Sequence, residues 1–189
     1  MLPRLAFVLL TLLPAYSYAQ NPSFTLVDTK GHFIGESVED LLSKEPEIQQ
    51  KLNGCQQQTH EPTCSHLLAA VTRGQRARLS NSNWTSFVVD GGKLVKLQTL
   101  LHGSPDAAKD DVSKRYGPQT SETAFPMQNA MGAKWEDHLS VWETAAVYVG
   151  LREDNNPASQ NHHLVLVVES QQEHAREREQ LHPPTAEKY

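Results

Sequence analysis

Apolar positions fall into short runs separated by turn chemistry. The longest run stands near the N-terminus, Leu5-Ala6-Phe7-Val8-Leu9-Leu10-Thr11-Leu12-Leu13. Its nine residues are well short of the ~20 that a membrane span needs. Arg4 precedes the run, Pro14 breaks it, and Ser17-Tyr18-Ala19 places small residues for cleavage. This is the pattern of a secretory leader over Met1–Ala19. No Cys follows the cleavage point, so a lipid anchor is not expected.

Beyond the leader the pattern alternates between helix and strand periods. Phe24-Thr25-Leu26-Val27 reads as a strand and Asp28–Gly31 as a turn. Ser37-Val38-Glu39-Asp40 has a capping hydroxyl with an acid three residues on, followed by a stripe of Val38, Leu41 and Leu42. Pro46 ends that helix near Glu45 and suits the first turn of a second one, with Ile48 and Leu52 on one side and Gly54 at its end. Ser65–Thr72 is helical by spacing, and Gln75–Leu79 follows as a strand. Thr85–Val89 and Lys93–Leu101 are β-rich and joined through Asp90-Gly91-Gly92, a hairpin signal. A two-residue turn pairs Val89 with Leu94. A three-residue turn pairs Phe87 with Val95, and it is preferred because it gathers more apolar residues on one side.

A second round opens at Ser104-Pro105-Asp106, a capped helix start whose stripe is Ala108, Val112 and Tyr116 and whose end is Gly117-Pro118. Gln119–Gly132 reads as a loop. Ala133–Glu136, Leu139–Thr144, Ala145–Leu151 and His163–Glu169 then form an antiparallel meander, turning at Glu136-Asp137-His138 and over Arg152–Gln160. The stretch after Ser170 has few apolar anchors, and it reads as a frayed or disordered tail with helix between Gln172 and Gln180. The expected fold class is α+β, with short helices packed on an antiparallel sheet. The expected organisation is a leader over 1–19, a helix–hairpin unit over 20–102, a helix–meander unit over 103–170 and a tail over 171–189.

Two stretches carry a resemblance. One is Phe33-Ile34-Gly35-Glu36-Ser37-Val38-Glu39-Asp40-Leu41-Leu42. The other is Tyr116-Gly117-Pro118-Gln119-Thr120, then Gln128-Asn129-Ala130-Met131-Gly132-Ala133 and Trp142. They resemble segments of small exported bacterial proteins of unknown function, with Pro118 one residue early against that pattern. The helix-then-sheet unit is similar to those of outer-membrane assembly lipoproteins and tandem β-lactamase-inhibitor proteins. This chain departs from both in lacking the lipid-attachment Cys and in having a Cys pair in its first unit only. The resemblance implies a non-enzymatic binding module and transfers no functional residue.

Composition narrows the chemistry. The chain has 189 residues with 17 Lys and Arg against 22 Asp and Glu, for a net charge of −5. An acidic balance argues against nucleic acid as a partner. Cys55 and Cys64 enclose a Gln- and Pro-bearing loop. An oxidising compartment, secreted or periplasmic, favours joining them, a closure worth ~2–3 kcal/mol by chain entropy. The alternative, a metal site with His60 and His66, matches no established zinc spacing.

His162-His163 are adjacent and point to opposite sides of a strand, which disfavours a shared metal. Asp137-His138 sits in an expected turn with no nucleophile fixed nearby. No Gly-x-Ser-x-Gly, Walker or His-Glu-x-x-His motif occurs. No cofactor is expected. Arg73, Arg76 and Arg78 read as a solvated connection, and Asn83-Trp84-Thr85 is a glycosylation sequon that matters only in a eukaryotic source. Trp84, Trp135 and Trp142 are the candidate binding residues, because an exposed indole on a sheet is a good anchor for protein or glycan. The leading expectation is an exported binding or envelope-associated protein without catalysis. The rivals are an exported hydrolase assembled from His60, His138, His162 or His163, and a secreted inhibitor or effector of another protein.

Overall fold

The computed structural model describes residues 31–57, 62–156 and 163–181. The leader, the strand expected at Phe24–Val27, His60, His162 and the chain after Leu181 lie outside the described residues. The elements are α1 Val38–Lys44, α2 Pro46–Gln57, α3 Pro62–Arg73, β1 Ala77–Ser80, β2 Ser86–Asp90, β3 Lys93–Leu101, α4 Pro105–Tyr116, β4 Ser121–Gln128, β5 Lys134–Glu143, β6 Val147–Asp154, β7 His163–Ser170 and α5 Gln171–Leu181. The fold class is α+β, as expected. Both rounds of strands join in one seven-stranded antiparallel sheet of order β1-β2-β3-β7-β6-β5-β4. Among the described residues no helix is long and apolar enough to cross a membrane.

Local chemistry sets the helix ends. Ser37 Oγ accepts the Asp40 N–H at 3.0 Å, the expected cap of α1, and Pro46 begins α2 directly after it. Ser104 Oγ accepts the Ala107 N–H at 3.2 Å at the start of α4. Helix α2 runs past Gly54 to Gln57, so Gly54 is not its stop. The Cys55–Cys64 disulfide ties α2 to α3.

The β2–β3 turn is the two-residue one. Gly91 and Gly92 both have positive φ, 59° and 74°, and Asp90 pairs Lys93 while Val89 pairs Leu94. The register then slips, so that Val88 pairs Lys96 and Phe87 pairs Leu97. The preference for a three-residue turn is therefore corrected. The bulge after the tight turn, and not a longer turn, brings Phe87, Val89, Leu94 and Leu97 to one side.

Two further expectations fail at one place. The loop assigned to Gln119–Gly132 contains β4, and the turn assigned to Glu136-Asp137-His138 is mid-strand in β5. The turn lies between them, where Asn129 Oδ1 accepts the N–H groups of Met131 and Ala133 at 3.0 Å each. Strand β4 hides from a period-2 search because it is an edge strand with almost no buried side.

Helices α1 to α4 cover one face of the sheet, the inner face. Val38, Leu41, Leu42, Ile48, Leu52 and Ala70 pack on Leu79, Phe87, Val89, Leu94 and Leu97. Ala108 and Val112 of α4 pack on Leu101, Trp142, Val149, Leu151, Leu164, Leu166 and Val168. Ile34 touches both groups and joins them.

Candidate functional site, the outer sheet face

Strand alternation puts the remaining side chains on the outer face, and the registers order them in rows across the strands. One row is Lys96, Glu169, Tyr148 and Glu143. The next is Gln98, Val167, Gly150, Val141 and Ser121. The third is Leu100, Val165, Arg152, Leu139 and Thr123. Helix α5 covers the first row only. In the other two, Leu100, Val165, Val167, Leu139 and Val141 are half-buried aliphatics, and among the described residues no helix lies over them. Gly150 is closed off by its neighbour, because a Cβ there would meet the Tyr148 ring at 3.3 Å.

The face continues onto a projecting arm. Pairing of β5 with β6 ends at His138 and Glu153, but pairing with β4 continues for four more residue pairs, Phe125 with Asp137 through Gln128 with Lys134. At ~3.3 Å per residue the arm extends about 13 Å beyond the sheet. Phe125, Met127, Trp135 and Asp137 share its outer side, and Phe125 is 42% exposed. An isolated two-stranded hairpin is marginal in water. Here Asp137 anchors its base, accepting the Trp135 indole N–H at 3.0 Å, the Arg152 guanidinium at 2.9 Å and the Asn155 backbone N–H at 3.0 Å. Burial alone would push the Asp137 carboxyl up; the hydrogen bonds from Arg152, Asn155 and Trp135 outweigh it and hold it below the ordinary carboxylate range. On the inner side Lys109 of α4 reaches Glu122 and Glu153 at 2.8 Å each. Burial works against that ammonium, but its bonds to the two carboxylates hold its pKa above the ordinary value.

The three tryptophans do not form one site. Trp135 lies on the outer face as a part-buried, indole-bonded ring. Trp142 is 0% exposed, faces inward and donates to Ser113 Oγ at 3.0 Å, so it is a core residue and not a binding anchor. Trp84 is 78% exposed on the β1–β2 loop with φ 58°, where Asn81 Oδ1 holds the N–H groups on both sides of it. It sits beside β2, four strand spacings from β5, or about 19 Å.

Several contacts were not legible as spacing. His32 is sealed inside, with Nδ1 on Glu36 and Nε2 at 3.3 Å from Glu45, its ring edge-on to Phe87. Glu36 also takes Lys44 at 2.6 Å, and Glu45 takes Asn81 at 3.1 Å. His138 Nδ1 is 3.9 Å from Glu122, too far for a hydrogen bond. Arg76, expected to be solvated, is paired in both directions with Glu173 and lies 3.6 Å from Asp90. Among the described residues no group of three His, Cys, Asp or Glu side chains is placed to hold a metal ion. Comparison with known protein families, curated proteins and solved structures finds no match.

Proposed function

We propose that this chain is an exported binding protein without catalysis, and that the bare outer face with its arm docks a protein partner. The observation that carries the reading is the pair of neighbouring rows holding half-buried Leu100, Val165, Val167, Leu139 and Val141, continued by Phe125, Met127 and Trp135. Apolar surface that gathers on one face beside polar residues marks an interaction site. Its composition favours protein over glycan. Most of these side chains are aliphatic, which suits a protein interface core, with one indole as anchor and Arg152, paired with Asp137, standing between Val165 and Leu139. Export is supported by the leader pattern and by the disulfide, which an oxidising compartment maintains.

The test is affinity capture with the tagged mature chain from envelope and extracellular fractions of the source organism, run alongside Trp135→Ala, Val165→Arg and Trp84→Ala. A discrete partner retained by the parent and by Trp84→Ala, but lost with both outer-face variants, is the expected result. Loss of a central aromatic anchor costs about 2 kcal/mol, roughly thirtyfold in affinity. Capture indifferent to Val165→Arg and Trp135→Ala sinks the proposal.

A further inference from the structure

Helix α5 covers the outer face in an unusual manner. Its sheet-facing side is Glu173, His174 and Glu177, while Ala175 and Leu181 point to solvent. Among the described residues, the side-chain hydrogen bonds, ion pairs and ring contacts that hold it to the sheet each involve a charged, ring or amide group. Arg76 grips Glu173 with both guanidinium nitrogens. Arg176 meets Asp90 at 3.0 Å, and Lys96 reaches Glu177 at 2.5 Å and Glu169 at 3.0 Å. His174 Nδ1 lies 2.7 Å from Glu169 while its ring stacks on Tyr148, centroids 3.8 Å apart. At the helix start, Gln171 Nε2 donates to the Thr144 carbonyl at 2.7 Å.

A helix fixed by apolar burial cannot leave without exposing its own greasy side, and that cost ties its opening to global unfolding. Helix α5 has no such side. Detached, it presents only polar and charged groups to water, where each finds solvation. An isolated helix of 11 residues is too short to persist, so the detached segment melts. The sheet beneath loses no aliphatic packing from its inner face, where both core clusters lie. What it uncovers is Tyr148 and the row holding Val88 and Lys96, adjoining the bare aliphatic rows.

We infer that α5 is a releasable strap: it lifts from the outer face as a unit while the seven-stranded sheet stays folded, and its departure enlarges the docking surface by the Val88–Tyr148 row. Only the consequence for docking rests on the proposed function. The opening itself is a property of the chain alone.

The test is amide hydrogen exchange on the full mature chain, read separately over residues 172–180 and over the β7 residues 164–168, with binding of a hydrophobic dye recorded alongside. In the parent, the α5 amides exchange at least about 100-fold faster than those of β7, because the opening is local. Glu173→Arg speeds α5 exchange further and raises dye binding while leaving β7 unchanged. The swap Arg76→Glu with Glu173→Arg restores the parent values. If α5 and β7 exchange at one common rate in the parent, α5 is an integral part of the core and the inference falls. It falls equally if α5 is freed without any gain in dye binding. No partner enters this experiment, so its outcome is separate from that of the capture assay.

Discussion

The two faces of one sheet are stabilised by different physics. The inner face carries four helices on Phe87, Leu94, Trp142, Leu151 and Leu166, all fully or almost fully buried. Among the described residues the outer face carries a single helix held by ion pairs, with half-buried aliphatic rows beside it. Burial of apolar area is non-directional and contributes most of the stability. Ion pairs at a partly wet surface contribute far less, because desolvation offsets much of their attraction. The inner face therefore decides whether the chain folds, and the outer face is free to be spent on recognition.

The largest blow to that contrast comes from the inner side. Trp142→Ala is expected to cost about 3–5 kcal/mol, read from the urea midpoint. A loss below ~1 kcal/mol contradicts its placement in the core. Next comes the strap. Arg76→Met leaves Glu173 without its charged partner and is expected to cost about 1–3 kcal/mol, with the loss of protection confined to α5. Val165→Arg comes third, changing stability by no more than about 0.5–1 kcal/mol while removing partner capture. A large destabilisation there means that the outer rows belong to the core after all.

The smallest effect is electrostatic and involves one carboxylate from each side of the sheet. The Ser82 backbone N–H, then Lys51 and the Ser82 hydroxyl, lower Glu47 from the ordinary 4.5 to about 2. Asp137 is also held below its ordinary value. Both folded-state values lie below the unfolded ones, so each contribution is fully present above the unfolded pKa and is lost as pH falls. For Glu47 the loss runs from 4.5 down to about 2. Carboxylate NMR titration checks this. A Glu47 midpoint near 4.5 would show that the α2 anchor on the β1–β2 loop does not form.

Legibility in the sequence followed the same division. The caps at Ser37 and Ser104, the β2–β3 hairpin and the stripes of α1 and α4 are readable because they are local or face an apolar core, whereas the length of the hairpin's turn is not, because the bulge at Val88 and Val89 sets the register. The outer side is not. Strand β4 has almost no buried side to create alternation, and the turn signal that follows it, Asn129 with Gly132, lies inside a stretch that otherwise reads as loop. The docking of α5 leaves no hydrophobic trace, because its partner residues, Arg76, Asp90, Lys96 and Glu169, are charges scattered over nearly a hundred positions. Trp135 was visible as a residue type, but only the register of β4 on β5 places it beside Phe125 and Met127. The His32–Glu36 contact has helical spacing yet lies in a turn, so only the fold reveals it.

The claim on which the rest depends is that the outer face meets a partner. Site-specific photocrosslinking in the source cell addresses it, with the reactive residue placed at Val167 or Leu139 and, as control, at exposed Thr72 of α3, in the helical layer on the inner side of the sheet. The account predicts one covalent adduct of defined mass from the two outer positions and none from Thr72. Adducts from Thr72 alone, or none from either outer position, would contradict it.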